Sequence, residues 1–339
     1  MQVLEEALVI AQERIEEISN KAGFHGIPSG FDRLDKLTCG WTKGDLVSIG
    51  ARPGMGKTSF ALSMAKNISV CSRIPLAYFS IETDSANLIQ KLISLETGLS
   101  LNKLNSGRLE KYEWELFNVK LATLKNAPLY IYDTPGLSIE QFESKVNDLV
   151  SNQKIRIVII DYLQLMTISD KNSIAANREQ HISIVINKLK YVARTYGIVV
   201  VVLSQLSRAI ETRGGSKRPI LSDFRESGAI ENDSDLVGMI YRPEYYKIEE
   251  WDDEERTPTQ NQAEFIVAKN RKGGLDNIRL KFIGNRGKFD NLDEFDAPFD
   301  FQSKMNDDDE NPFNPTSLPS ADQAFGSFLN DSEDNDIPF

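Results

Sequence analysis

The chain has 339 residues, of which 40% are hydrophobic, so it is long enough to bury one large core. Its two cysteines, Cys39 and Cys71, have no metal-site spacing, and they fit a reducing compartment such as the cytoplasm. The net charge is −11, but residues 291–339 carry 13 acidic side chains against one lysine, so the rest is nearly neutral. Neither a secretory signal nor an apolar stretch of membrane-spanning length is found.

Residues 1–20 have the apolar spacing of a short helix. A helix of this length is marginal alone in water, so its apolar stripe must pack against another surface. That surface belongs either to the same chain or to a neighbouring subunit. The residues of the stripe are Leu4, Leu8, Ala11, Ile15 and Ile18.

Residues 21–290 form the main domain, and a glycine-bearing loop follows its first apolar strand. Residues 51–58 read Ala-Arg-Pro-Gly-Met-Gly-Lys-Thr and open onto a helical run. In such a loop, backbone N–H groups and the helix N-terminus surround the phosphates of a nucleoside triphosphate. Lys57 would reach the β- and γ-phosphates, and the Thr58 hydroxyl would ligate Mg²⁺. The alternative is an ordinary glycine turn, which would need neither side chain.

Three further apolar strands are followed by polar residues. These residues are Glu82, Asp161 and Gln205. Because ligands bind at the carboxyl edge of an α/β sheet, Asp161 is a candidate for the Mg²⁺ shell and Glu82 for the general base. Gln205 is a candidate sensor of the γ-phosphate. The alternatives are the end of a core strand for Asp161 and a helix N-cap region for Glu82.

The strands alternate with helical segments and give way to a β-rich stretch, which predicts an α/β fold with a mostly parallel central sheet. The segment 208–218 contains several basic residues and is a candidate lining for a nucleic-acid channel, although a solvated loop would have the same composition. Residues 291–339 are rich in Asn, Asp, Ser and Pro, which predicts a disordered acidic tail.

Taken together, the motifs resemble the C-terminal motor domain of the DnaB-type replicative DNA helicases, a hexameric family with a RecA-like fold. The resemblance runs from about Leu4 to Asn291 in unbroken order. The family's Ala-Arg-Pro opening accounts for Ala51, where the general phosphate-loop pattern has Gly. The matching segments are GFDRLD (30–35), ARPGMGKT (51–58), FSIE (79–82), IDYLQLM (160–166), LSQL (203–206), DFRESGAIE (223–231) and AKNRKG (268–273).

The resemblance implies a role for individual residues. Glu82 is implied as the catalytic carboxylate, and Lys91 lies where the family often has an arginine near the nucleotide. ATP would be held by Gly54, Gly56, Lys57, Thr58 and Ser59.

Two further groups of residues are implied to act between subunits and on DNA. Lys269 and Arg271, with Asn270 between them, would enter the neighbouring subunit's site as a lysine and an arginine finger. The alternative for these three is a charged hairpin tip next to Gly273. The residues implied to contact single-stranded DNA in the central channel are Arg225, Glu226 and Gly228. For Arg225 and Glu226 the alternative is a surface ion pair.

The family implies an ATP- and Mg²⁺-dependent homo-hexamer that translocates 5′→3′ on single-stranded DNA and unwinds duplex during replication. A recombinase, a ring ATPase without unwinding activity, and a DNA-binding partner that does not hydrolyse ATP remain alternatives. In the family the helix at residues 1–20 links to an adjacent subunit. The family's N-terminal collar domain has no counterpart here, which fits either a collar-less helicase or a trimmed one.

Residues 331–339, the acidic tip, read Asp-Ser-Glu-Asp-Asn-Asp-Ile-Pro-Phe. They are similar to the C-terminal tip of bacterial single-stranded-DNA-binding proteins, which places a terminal Phe and its carboxylate in a basic-rimmed apolar pocket on partner proteins. Phe339 is therefore a candidate partner-binding residue. The alternatives are a solubilising tail and a tail that shields the channel from non-specific DNA.

Overall fold

The computed structural model describes residues 25–168, 178–224 and 228–292, together with five helical positions near the start of the chain. Three predicted site residues, Arg225, Glu226 and Phe339, lie outside these described residues, as does most of the tail. The helical positions are Leu4, Leu8, Val9, Gln12 and Glu16.

The described residues build a nine-stranded sheet in the order β3-β2-β4-β5-β1-β6-β7-β8-β9. The first six strands in this order pair in parallel, and the last three add antiparallel, so the predicted mostly parallel sheet and the later β-rich stretch are confirmed. The strands are β1 (Leu46–Ala51), β2 (Leu76–Ser80), β3 (Leu129–Asp133), β4 (Ile157–Asp161), β5 (Val199–Gln205), β6 (Leu236–Tyr241), β7 (Gln262–Asn270), β8 (Asn277–Ile283) and β9 (Lys288–Asn291).

The central strands are apolar on both faces because helices cover both faces. In β4, Ile157 and Ile159 join one hydrophobic core, and Val158 and Ile160 join the other. This arrangement explains the continuous β-branched runs in the sequence. The helices are α1 (Asp32–Thr38), α2 (Lys57–Lys66), α3 (Ser85–Thr97), α4 (Leu101–Ser106), α5 (Lys111–Lys125), α6 (Ile139–Gln153), α7 (Arg178–Tyr196), α8 (Ala209–Thr212) and α9 (Gly228–Asp233).

Local capping fixes where the helices near the sheet edge begin. The Asp84 carboxylate caps α3 by accepting the Asn87 N–H at 2.9 Å. Ser138 and Gln141 form a reciprocal capping box at the start of α6. Since Asp84 is the cap of α3, Glu82 is left on the connection between β2 and that helix. Among the described residues, none of the helices is both long and apolar enough to cross a membrane.

Candidate active site

The phosphate loop connects β1 to α2 and depends on two glycines with positive φ. Gly54 has φ +82° and Gly56 has φ +94°, a region that residues with a Cβ rarely adopt. A Cβ on Gly54 would lie 2.7 Å from the Tyr245 ring, and one on Gly56 would lie 2.9 Å from the Phe289 ring. Both positions therefore require glycine, which leaves the backbone N–H groups of the loop accessible to phosphate oxygens.

Side chains from α2, β2 and β4 meet at the start of α2. The Thr58 hydroxyl donates to Asp161 Oδ2 at 2.6 Å, and the Tyr78 hydroxyl donates to the same oxygen at 3.1 Å. Lys57 Nζ lies 3.7 Å from Asp161 Oδ1 and 3.8 Å from the centre of the Tyr162 ring. The structure thus brings together the three residues predicted for phosphate and metal binding.

Electrostatics at this point suit a cation held between protein and phosphate. Asp161 is only 1% exposed, and its Oδ1 accepts no hydrogen bond within the described ranges. Burial lowers the pKa of Lys57, although the negative charges of Asp161 and Glu82 oppose this shift. Burial raises the pKa of Tyr78 well above its ordinary value, which keeps its hydroxyl protonated as a donor.

The donor set fits Mg²⁺ held through nucleotide phosphates rather than a site made by protein alone. Thr58 and Asp161 would supply two oxygen ligands, and Mg²⁺ usually takes its remaining ligands from water and substrate phosphates. In the parts of the chain that the structure describes, no cluster of three or more His, Cys, Asp or Glu side chains could hold a metal by itself.

A cavity of about 450 Å³ opens beside the phosphate loop. It extends from α2 towards the β8–β9 turn, and eight predicted nucleotide-site residues line it. The cavity therefore gathers the predicted phosphate, base-catalyst and sensor positions in one place. These lining residues are Gly54, Gly56, Lys57, Thr58, Ser59, Glu82, Lys91 and Gln205.

Two lining residues, Arg242 and Phe282, were not predicted from the sequence. The Arg242 guanidinium lies 3.8 Å above the Phe282 ring, and its Nη1 donates to the Gly54 carbonyl at 3.2 Å. Burial lowers the pKa of Arg242. Arg242 directly follows the apolar strand β6, so the strand-end rule that identified Asp161 could have found it. Phe282 lies inside an antiparallel strand, where the sequence carries no such signal.

Gln205 is held in place by a second glutamine. Gln164 donates to Ser204 Oγ at 2.8 Å and accepts the Gln205 N–H at 3.2 Å. Gln205 also pairs in register with Ala51, the last residue before the phosphate loop. The end of β5 is therefore fixed beside the loop, with the Gln205 side chain on the cavity.

The predicted finger residues lie at the opposite edge of the sheet. Lys269 donates to the Asn232 carbonyl at 3.1 Å, and the Arg271 N–H donates to the Asp235 carbonyl at 2.9 Å, level with the start of β1. Asn270 stabilises the β7–β8 turn by donating to the Gly274 carbonyl at 3.2 Å. With a rise of about 3.3 Å per residue, the length of β1 separates these residues from their own phosphate loop by about 16 Å.

A sequence profile described as the DnaB-like helicase C-terminal domain matches residues 26–291. The chain belongs to this family. It is 36% identical to the replicative DNA helicase DnaC of Bacillus subtilis (strain 168), over 86% of this chain and 62% of that protein. It is 44% identical to a probable replicative DNA helicase of Trieres chinensis, over 80% of this chain and 58% of that protein.

Solved structures give the same result for this DnaB-like domain. The ATPase domain of G40P superposes with a TM-score of 0.77 at 36% identity, over 86% of this chain and 100% of that one. A DnaB-like replicative helicase, described together with its interactions with primase, superposes with a TM-score of 0.75 over 86% of this chain and 68% of that one. The chain spans about three fifths of the length of the curated relatives it matches.

Several cations of the basic segment 208–218 of the DnaB-like domain have partners within the chain. Arg213 forms an ion pair with Asp223, and Arg218 forms one with Glu264 at 2.6 Å. Lys217 donates to the Glu211 carbonyl at 3.1 Å. These three cations have partners within the chain, whereas Arg208 is exposed, and the channel lining stays a prediction.

Of the residues predicted to contact DNA, only Gly228 is described. It is the first residue of α9 and is exposed. Its predicted neighbours in the DNA loop, Arg225 and Glu226, precede it outside the described residues.

Proposed function

We propose that this DnaB-like domain is an ATP- and Mg²⁺-dependent motor that moves 5′→3′ along single-stranded DNA and unwinds duplex during DNA replication. The observation that carries this proposal is the contact of buried Asp161 with Lys57 and Thr58, which line a cavity of about 450 Å³. Relatives named as replicative DNA helicases support the DNA part of the proposal.

The side chains around the cavity supply distinct parts of ATP hydrolysis. A bound Mg²⁺, held by Thr58 and Asp161, would neutralise phosphate charge. Lys57 would bind the β- and γ-phosphates, and Glu82 would orient the attacking water and accept its proton. Gln205 would contact the γ-phosphate from the end of β5.

Arg242 and Phe282 are proposed to bind the nucleotide base. The flat guanidinium and the ring already stack at 3.8 Å, and both surfaces favour contact with a planar aromatic group. Their place on the cavity wall puts the outer faces of this stacked pair next to the phosphate loop, where a bound nucleotide would carry its base.

Hydrolysis is proposed to need a neighbouring copy in a homo-hexameric ring. Lys269, Asn270 and Arg271 lie about 16 Å along the sheet from their own phosphate loop, so they serve a nucleotide only across an interface. Cations supplied in this way stabilise transition-state charge when the interface closes. Asn270 would support the two cations by holding the turn that carries them.

The N-terminal helix is proposed to join copies by packing on α5 of a neighbour. Leu4 and Leu8 are 74% and 60% exposed, so this stripe does not pack on its own domain at these positions. Helix α5 exposes three apolar side chains at the spacing of one helix face: Tyr112, Leu116 and Val119. This face is an apolar surface on which the apolar stripe of the N-terminal helix could pack. Removing residues 1–20 should therefore lower the sedimentation coefficient at low micromolar concentration.

The proposed activity is tested by measuring ATP turnover with and without single-stranded DNA, and strand displacement on a forked duplex with a 5′ tail. We expect DNA-stimulated turnover and displacement, both abolished by Lys57→Ala. Glu82→Gln should still bind ATP but not hydrolyse it, because the amide keeps the shape and loses the base. Stimulation without displacement would instead favour a recombinase or a ring ATPase, and no turnover would favour a DNA-binding partner.

A further inference from the structure

A buried arginine at the start of the phosphate loop connects the nucleotide cavity to a distant segment. Arg52 directly follows β1, and its side chain is only 6% exposed. Its Nη1 donates to the Leu206 carbonyl at 2.7 Å, while Nε and Nη2 donate to Glu211 Oε1 at 3.0 and 2.6 Å. One guanidinium thus binds both the residue that follows Gln205 and the helix α8.

The segment 206–224, which begins at Leu206 and contains α8, is braced across its two ends. The Asp223 carbonyl accepts the Ser207 N–H at 2.9 Å, and its buried carboxylate accepts the Ile220 N–H at 2.8 Å. The same carboxylate pairs with Arg213. These contacts tie the end of the segment to its beginning.

The last residue of the segment also contacts the strand that carries the phosphate loop. A Cβ placed on Gly50 would lie 2.4 Å from the Phe224 ring and 2.6 Å from Leu206, so both side chains lie directly on β1. The predicted DNA-contacting residues begin one position beyond Phe224. The strand and the start of the phosphate loop therefore contact the braced segment in two places, through the Arg52 guanidinium and through Gly50.

We propose that the Arg52–Glu211 ion pair transmits nucleotide-dependent movement of the phosphate loop to segment 206–224, which leads in sequence to the predicted DNA-contacting residues. This inference rests on the proposed function, because it assigns how DNA and nucleotide affect one another. Glu211 is a positioning residue: it lies outside the set of residues that line the nucleotide cavity and acts through Arg52. Coupling between two sites is typically about 1–3 kcal/mol, or about 5- to 150-fold.

The test compares Glu211→Ala with wild type in ATP turnover, with and without oligo-deoxythymidylate. We expect turnover without DNA to stay within about twofold of wild type, and stimulation by DNA to fall at least about fivefold. Glu211→Gln keeps an acceptor oxygen without the charge, so it should lose part of the stimulation, and it serves if the alanine variant does not fold. Asp148→Ala, which removes an exposed carboxylate on α6, is the control and should behave as wild type.

A second measurement separates transmission from simple support of the fold. Hydrogen exchange at residues 207–224 should change in wild type when a non-hydrolysable ATP analogue binds, and this change should vanish in the folded Glu211 variant. If both Glu211 variants keep wild-type stimulation of ATP turnover by DNA and wild-type nucleotide-dependent exchange, the ion pair has no transmitting role. The proposed function would be unaffected by that result. If wild type shows turnover but no effect of DNA, the proposed DNA-driven function fails and this inference fails with it.

Discussion

The Tyr78 hydroxyl offers a sharp test of the metal site because Tyr78→Phe removes one oxygen and keeps the ring in the core. Tyr78 is 1% exposed, and its hydroxyl donates to Asp161 Oδ2 at 3.1 Å. A hydrogen bond to a charged group contributes about 1.5–3 kcal/mol, which corresponds to about 10- to 150-fold in an equilibrium constant. Part of this loss will appear as lower stability, since the bond is present without nucleotide.

The remainder should appear in metal affinity, because the hydroxyl orients the carboxylate that would bind Mg²⁺. Loss of such a supporting contact typically costs about 10- to 100-fold in metal affinity. We expect the Mg²⁺ concentration for half-maximal ATP turnover to rise about tenfold, with turnover at saturating Mg²⁺ little changed. The control is Tyr132→Phe on β3, whose ring stacks on Phe79. An unchanged Mg²⁺ dependence in a variant that is less stable would refute this reasoning.

Three other outcomes follow from the geometry. Gly56→Ala should lower the melting temperature and the ATP affinity more than Gly54→Ala does, because the ring that opposes Gly56 is buried and cannot move aside. Calorimetry and nucleotide titration of the two variants would measure this difference. Mixing Arg271→Ala with Lys57→Ala subunits should restore some ATP turnover, and no rescue in hexamers shown to be mixed would contradict action between subunits. A peptide of the acidic tip should bind proteins that recognise such tips, and the same peptide without Phe339 should not, as calorimetry would show.

The parallel part of the fold and much of the site were predictable because they follow local rules. Polar residues after apolar parallel strands meet at one edge, and this rule places Glu82 and Gln205 on the same cavity, with Asp161 in contact with Thr58 beside it. The same rule applied to the strand at 236–241 would have found Arg242. Tyr78 could not be found in this way, since an aromatic residue inside a strand normally indicates only core packing.

The partners of the cations in the basic segment 208–218 could not be predicted from the sequence. Arg218 pairs with Glu264, a residue 46 positions away on β7, and nothing in the local composition of 208–218 indicates that partner. Arg213 is likewise neutralised by Asp223, at the other end of the braced segment. Long-range pairing is decided by the register of the antiparallel strands, which the sequence pattern does not specify.

The direction of β7 determines where the proposed finger cations lie relative to the phosphate loop. Because β7 runs antiparallel to β6, it carries Lys269 and Arg271 to the edge where the parallel strands begin, whereas the phosphate loop follows the end of β1. If β7 had instead run parallel to β6, it would have ended at the same edge of the sheet as the phosphate loop. A single copy therefore holds the groups proposed to bind ATP, whereas the cations proposed as fingers lie at the other end of the strands. Under the proposed function, hydrolysis would then depend on a neighbour, and the proposed Arg52–Glu211 coupling would connect each copy's phosphate loop to its own segment 206–224.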